Sequence, residues 1–394
     1  MNSRNLFAAV ICAILALATR SAAALDQNAP ADDRLPIDSN GEVSRPALSE
    51  TITDQPQDTG GCDVGCWQSC AGPRWTAEAD FIILDRIAGP SQTLVDRVPR
   101  SVRFGDLFTT PGTESLNMND FQQGFAAGPQ IDLIRHGDCG YDLELSYYQI
   151  NGWHSDKNAG PDDPADWLVM RAPGLWLATT TPGGYQGWIQ TNQRDDQALA
   201  WDYSSRLYDA EFNVRWHPLS HLTVLSGFRW VEMDENLVGA LSPPTMVEPP
   251  FWNTTTTNNL FGFQTGVDWK IWERGRFSID GLVKAGIYDN DAEQTSVVSV
   301  IAKTLYPASD STNHAAFVGD TGLQCKYQLT KDLALKASYQ VLCLEGVALA
   351  PGQIQETYSV TRFPDKPSSV QALGINCNGG VFYQGATAGL EYLF

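Results

Sequence analysis

The sequence predicts an all-β fold, an antiparallel up-and-down transmembrane β-barrel of about ten strands. Three observations predict it. The last residues, Ala386 to Phe394, alternate apolar and polar side chains and end on an aromatic. Nine more segments of that kind precede it, and the connections between them alternate between short and long without exception. After the N-terminal segment there is no run of about 18 apolar residues, so no helix of the chain is suited to cross a bilayer. A period of two gives a strand one apolar and one polar face. Short turns at one end and long loops at the other mark an outer-membrane barrel, whereas a soluble sandwich has no reason to segregate loop lengths.

Residues 1–24 have the layout of a secretory signal peptide. Arg4 precedes the apolar run Leu6 to Ala18, and Ser21 to Ala24 offer small residues for cleavage. Residues 25–73 are rich in Asp, Pro, Ser, Gly and Gln, which predicts a loosely ordered leader. The barrel is assigned to residues 74–394. The chain carries 26 basic and 46 acidic residues, net −20, and loss of Arg4 and Arg20 with the signal makes this −22. Such a charge excludes nucleic acid as a partner. It favours small solutes or cations, and most of it is expected on solvated loops.

The strands follow in order. Trp75, Ala77, Ala79, Phe81 and Ile83 alternate with Thr76, Glu78, Asp80 and Ile82. Phe125 to Arg135 sets Ala127, Ile131 and Leu133 against Gln130 and Asp132, with a bulge or a break in pairing expected at Pro129. Tyr141, Leu143, Leu145 and Tyr147 oppose Asp142, Glu144, Ser146 and Tyr148. Tyr208 to Trp216 sets Ala210, Phe212 and Val214 against Asp209, Glu211, Asn213 and Arg215. Leu222 to Glu232 follows, with Phe228 and Trp230 flanking Arg229. Phe261, Phe263, Val267 and Trp269 oppose Gln264, Asp268 and Lys270. Phe277, Ile279, Val283 and Ile287 oppose Asp280, Lys284 and Tyr288. Phe317, Leu323 and Tyr327 oppose Asp320, Gln324 and Lys326. Leu333, Leu335, Ala337, Tyr339 and Val341 oppose Lys336, Ser338 and Gln340. In the last strand Ala386, Ala388, Leu390, Tyr392 and Phe394 share one face, and Thr387 and Glu391 the other. A hairpin at Asp166–Met170 and Gly174 to Ala178 would raise the count to twelve.

The charged residues of the polar faces point into the lumen in this parse. They are Glu78, Asp80, Asp132, Asp142, Glu144, Asp209, Glu211, Asp268, Asp280, Asp320 and Glu391, with Arg215, Arg229, Lys270, Lys284, Lys326 and Lys336. A ten-stranded barrel is only modestly wider than the eight-stranded kind that side chains fill. Opposite charges held there pair, because an unpaired one is costly. The expected lumen is therefore bridged by ion pairs, and those residues are candidate pore lining or candidate plug.

The closing strand resembles the terminal strand of bacterial outer-membrane barrels. That resemblance implies that Tyr392 and Phe394 act as an assembly signal read by the barrel-assembly machinery, with outer-membrane lipid around the apolar face. Several stretches also resemble a β-barrel porin family abundant in planctomycete bacteria, its seventh numbered porin group. They include Arg74 to Asp80, Ser226 to Trp230 with Glu232 and Glu235, and Asn258 to Gly266. Lys284 to Tyr288, Phe317 to Gly319, and Tyr339-Gln340 with Gly346 to Gln353 extend the match. The resemblance covers most of the chain after Arg74 and implies a porin-like barrel in the cell outer membrane. Its motifs are strand patterns and carry no active-site signature.

No catalytic residues are assigned. Gly-x-Ser-x-Gly is absent, and His136, His217 and His221 fall at short turns, while His154 and His314 fall in long loops. No cofactor or metal site is assigned either. Cys62, Cys66 and Cys70 lack zinc spacing and a fourth ligand, and a disulfide within that cluster or to Cys139 is the better reading. The register set by the turn near Lys331 places Cys325 opposite Ala337, away from Cys343. Cys343 and Cys377 are the candidate disulfide, closing the last long loop. The functional expectation is a porin-like channel for small solutes or ions. The alternative is a non-conducting envelope or surface-interaction barrel whose long loops carry the function.

Overall fold

The computed structural model describes residues 74–87, 91–99, 101–102, 110–137, 140–160, 166–170, 176–177, 185–186, 198–242, 251–300, 304–354, 357–360, 369–372 and 374–394. Residues 1–73, to which the expected signal peptide, the expected leader and Cys62, Cys66 and Cys70 belong, lie outside them. Ten strands close into one antiparallel barrel. They are β1 (Trp75–Ile87), β2 (Phe125–His136), β3 (Tyr141–Ala159), β4 (Ala198–Leu219) and β5 (Leu222–Ser242). β6 (Phe251–Arg274), β7 (Phe277–Val300), β8 (Thr304–Gln328), β9 (Leu333–Val347) and β10 (Gly379–Leu393) complete it. Each strand pairs with its chain neighbours, and β1 closes the ring on β10, from Thr76↔Leu393 to Ile87↔Phe382. The main chain of Phe394 is pinned to β1, its amide donating to Trp75 O at 2.9 Å and its carbonyl accepting from Arg74 and Trp75 at 3.0 Å.

Strand alternation turns the apolar residues outward. Phe228 is 65% exposed and Ile287 74%, and Phe81, Ile131, Leu145, Phe212, Phe263, Leu323 and Leu390 stand in the same belt. An exposed apolar band around a closed barrel is a lipid-facing surface. Hydroxyls in it satisfy one another, as where Ser226 donates to Thr265 at 3.1 Å and Thr265 to Leu225 O at 3.2 Å. Tyr392 and Phe394 stack at one end of the belt, 6.0 Å between ring centroids.

The strand count agrees with the sequence expectation, and other features refine it or differ from it. The count is ten, because Asp166–Met170 leaves the wall and joins a three-stranded sheet with Thr93–Pro99 and Thr113–Asn117. Trp176–Leu177 pairs with Tyr185–Gln186, also apart from the barrel. Two of the connections expected to be long loops are mostly strand. β5 and β6 are joined by 243–250, and β7 and β8 by 301–303. Past the belt both faces of β6 are hydrophilic, in the run Asn253 to Asn259, so hydropathy alternation fades although β-branched threonines persist. Of the two outcomes expected at Pro129, the break in pairing is the one found. The β2–β3 ladder is interrupted at Gly128 and Pro129 and resumes in the same register at Ala127↔Asn151. The bulge falls on β3 at Gly152, whose φ of 102° suits glycine.

An Arg at the centre of the belt tests its burial in lipid. Phe212→Arg is expected to destabilise the folded barrel by about 2–4 kcal/mol. Chemical unfolding in lipid vesicles, followed by heat-modifiable gel mobility, measures it.

Candidate functional site

The lumen is built in layers, each set by which residue type falls on the inward beat of the strands. The layer nearest the short turns is charged. A chamber of about 360 Å³ opens there, with Thr76, His136, Asp142, His217 and Leu393 around its mouth. Its walls carry Glu78, Asp80, Asp132, Glu144, Glu211, Asp268, Asp280, Asp320 and Glu391 against Arg215, Lys284, Lys326 and Lys336.

Two ion-pair clusters cross this layer. In the first, Lys336 bridges Glu78 and Asp80, lying 2.8 Å from the latter. It reaches them across Gly389, which stands between Lys336 on β9 and Asp80 on β1. A Cβ at Gly389 would fall 2.0 Å from Asp80 Oδ1, so only glycine leaves the crossing open. Lys326 reaches Glu391 at 2.6 Å. Asp132 accepts from Ser146 and from Gln130, the latter at 3.0 Å. The Glu78, Asp80 and Asp132 carboxylates come within 4.8 Å of one another. Lys336 already supplies a cation to two of them.

The second cluster lies against β4 to β8. Arg229 sits 2.7 Å from Asp209, 3.3 Å from Glu211 and 3.8 Å from Asp320. Lys284 joins Glu211 at 2.6 Å and Asp320 at 3.5 Å. Gln264 donates to Glu211 at 2.8 Å, and Arg215 ties Glu144 to Asp268, at 2.9 Å from the latter. Arg229 and Asp209 are buried. Asp280 also faces the chamber, its only bond among the described residues being from Ser278 at 3.4 Å. Lys270 does not line the lumen. A bulge between Lys270 and Trp272 ends the regular alternation, and its ammonium pairs with Glu273 at the turn, 2.8 Å away.

At the chamber mouth Asp142 accepts from two imidazoles, His136 at 2.8 Å and His217 at 2.9 Å. The other ring nitrogens meet Thr76 and Thr223, at 2.7 and 2.9 Å. This chain of bonds links β1, β2, β3, β4 and β5.

Above the charged layer the lumen is apolar. One buried cluster includes Ile82, Leu84, Ala126, Ile150, Trp153, Leu207, Val231, Met233, Leu260, Tyr288, Val318, Leu342, Leu344 and Tyr383, so every strand contributes. The Trp153 and Tyr383 rings lie 5.0 Å apart, and Trp153 Nε1 donates to Leu84 O at 3.0 Å. These side chains are inward residues past the ends of the charged runs.

A third layer holds part of the β9–β10 connection inside the barrel. Ala348 N donates to Asn258 Oδ1 at 2.7 Å, and Asn258 Nδ2 donates to Ala348 O at 2.8 Å. Asn290 donates to Gly346 O at 3.1 Å. Ala350 N, opening the short helix Ala350–Gln353, donates to Glu235 at 2.8 Å. Glu235 is paired with Arg86, which also donates to Gln123 and to Tyr203, at 2.6 and 2.9 Å. Both ions are buried. Sequence reading missed Arg86 and Glu235 as partners, although both keep the inward beat of their strands.

The candidate disulfide is absent. Cys343 and Cys377 are both free thiols. Cys343 falls on the outward beat of β9, whereas Cys377 packs with Ala292 and Ala348 on the inner side, so the barrel wall separates them. Cys325 stands opposite Ala337, as the turn register predicts.

Removing the cation at the centre of the second cluster leaves buried carboxylates uncompensated. Arg229→Leu is expected to cost about 3–5 kcal/mol, and Arg229→Leu with Asp209→Leu is expected to recover much of it. Unfolding midpoints of the two variants check this.

No family model matches the chain, and no curated protein matches it. Solved structures similar to it are membrane proteins of low identity. The outer membrane protease OmpT from Escherichia coli gives a TM-score of 0.46 at 10% identity, over 84% of this chain and 100% of that one. The toluene transporter TbuX from Ralstonia pickettii gives 0.31 at 9% identity, over 82% and 88%. A FadL homologue from Pseudomonas aeruginosa gives 0.27 at 14%, over 82% and 90%. Likenesses this distant carry no argument about activity.

Proposed function

We propose that the protein is an outer-membrane β-barrel of porin-like architecture whose lumen is closed, and that it serves the envelope as a non-conducting barrel. One observation carries this reading. The apolar layer is made by inward side chains of all ten strands, not by a loop alone. Ions do not cross a dry apolar layer, because an unpaired charge there loses its hydration without compensation. A barrel of this strand number is narrow enough for wall side chains to fill it. In this reading the short turns face the periplasm. The long strands and loops then form the outer surface, where interaction residues concentrate.

The charged chamber supports a second reading, a gated channel for small cations. Acidic residues outnumber basic ones around it, which favours cations once a path exists. Opening would require both the Gly346–Gln353 segment and the apolar layer to move.

Planar-bilayer recordings of the refolded protein separate the two. No discrete conductance steps are expected from the native chain, nor from Asn258→Ala with Glu235→Gln, which frees the inserted segment. Steps from the native chain would overturn the closed reading, and steps from the double variant alone would favour the gated one.

A further inference from the structure

The outer face of the barrel holds a groove of about 620 Å³ that rises from the middle of the lipid belt, across β2 to β6. Its floor is Ala210. In strand register Ala210 lies opposite Tyr147 on β3 and Trp230 on β5, so a methyl group stands between two large rings. One step lower, Phe212 lies opposite Leu145 and Phe228 and closes the base. The lining side chains that face outward are apolar, and water is excluded at belt height. A gap left empty there forfeits dispersion contacts on every wall.

Directly above Ala210 the same strand turns polar. Tyr208 lies opposite Glu232, and Arg206 opposite Asp234. The Arg206 side chain is 56% exposed and 3.0 Å from Asp234. A purely anionic headgroup would meet two carboxylates for one cation. A headgroup carrying both a phosphate and an ammonium matches the pattern, with phosphate on the guanidinium and ammonium on Glu232.

We propose that this groove holds a zwitterionic phospholipid of the ethanolamine type, one acyl chain running over Ala210 between Tyr147 and Trp230. The proposal rests on the belt being embedded in lipid. It adds a specific lipid site to that surface.

The full chain, refolded and inserted in nanodiscs of equal phosphatidylethanolamine and phosphatidylglycerol, is released into detergent for native mass spectrometry. The expected result is one retained phosphatidylethanolamine, in about tenfold excess over phosphatidylglycerol, or about 1.4 kcal/mol. Ala210→Trp fills the groove and abolishes retention. Glu232→Gln keeps a bound lipid and brings the ratio near one. Leu323→Ala, elsewhere on the belt, leaves both unchanged. All three positions face outward, and heat-modifiable mobility reports that each variant folds. Equal retention of the two lipids by the native chain would overturn the proposal. So would retention unaffected by Ala210→Trp, or a dimer that Ala210→Trp dissociates, which would make a second copy the occupant. Failure of the native barrel to enter nanodiscs is a separate observation, and it would sink the membrane reading along with the site.

Discussion

Ring closure governs this molecule. Once β1 pairs with β10, the strand number sets the diameter, and the diameter decides that inward side chains from opposite walls meet. Backbone groups have no free edge left to pair, which is the condition for a sheet to sit in lipid. Everything inside then becomes a packing and charge-pairing problem in a narrow tube. Lys336 shows how tight the tube is, since its route to Glu78 and Asp80 exists only because Gly389 has no side chain.

The interior solves that problem in three bands with different chemistry. Charges are concentrated near the short turns, where the chamber admits water and leftover acid is tolerable. The middle is apolar and excludes ions. The band beyond it uses buried amides and one ion pair, Arg86 with Glu235, to hold main-chain groups of the Gly346–Gln353 segment. Loop backbone drawn inside a barrel needs such partners, because its N–H and C=O groups have left solvent. Asn258 meets this need most directly, satisfying both the donor and the acceptor of Ala348.

The two faces of the wall were unequally legible in the sequence. The belt was plain, since residues such as Phe228, Phe263 and Leu390 alternate with polar ones and exposure to lipid leaves that pattern undisguised. The inward direction of Asp209, Glu211, Arg229 and Lys284 followed from the same beat. Their partners did not, because pairing across the lumen depends on stagger between distant strands. Strand ends were also hidden. In Asn253 to Asn259 both faces are hydrophilic, so the wall continues where alternation stops. The apolar layer escaped notice for a related reason. Leu84, Val231 and Leu344 are apolar inside a run whose outward neighbours are also apolar or mixed, and local hydropathy cannot tell a lumen filler from a loop.

Taken alone, the sequence determined that strands build this protein, which way each side chain points within the belt, and which connections turn tightly at one end. Those are local properties, set by period-two alternation and turn chemistry within a few residues. Only the tertiary structure decided that the barrel has ten strands rather than twelve. It also separated Cys343 from Cys377 by the wall, moved Lys270 out to the rim and closed the lumen. Each of these depends on ring closure and on stagger, which bring together residues far apart in the chain. No local pattern encodes the distance across a tube.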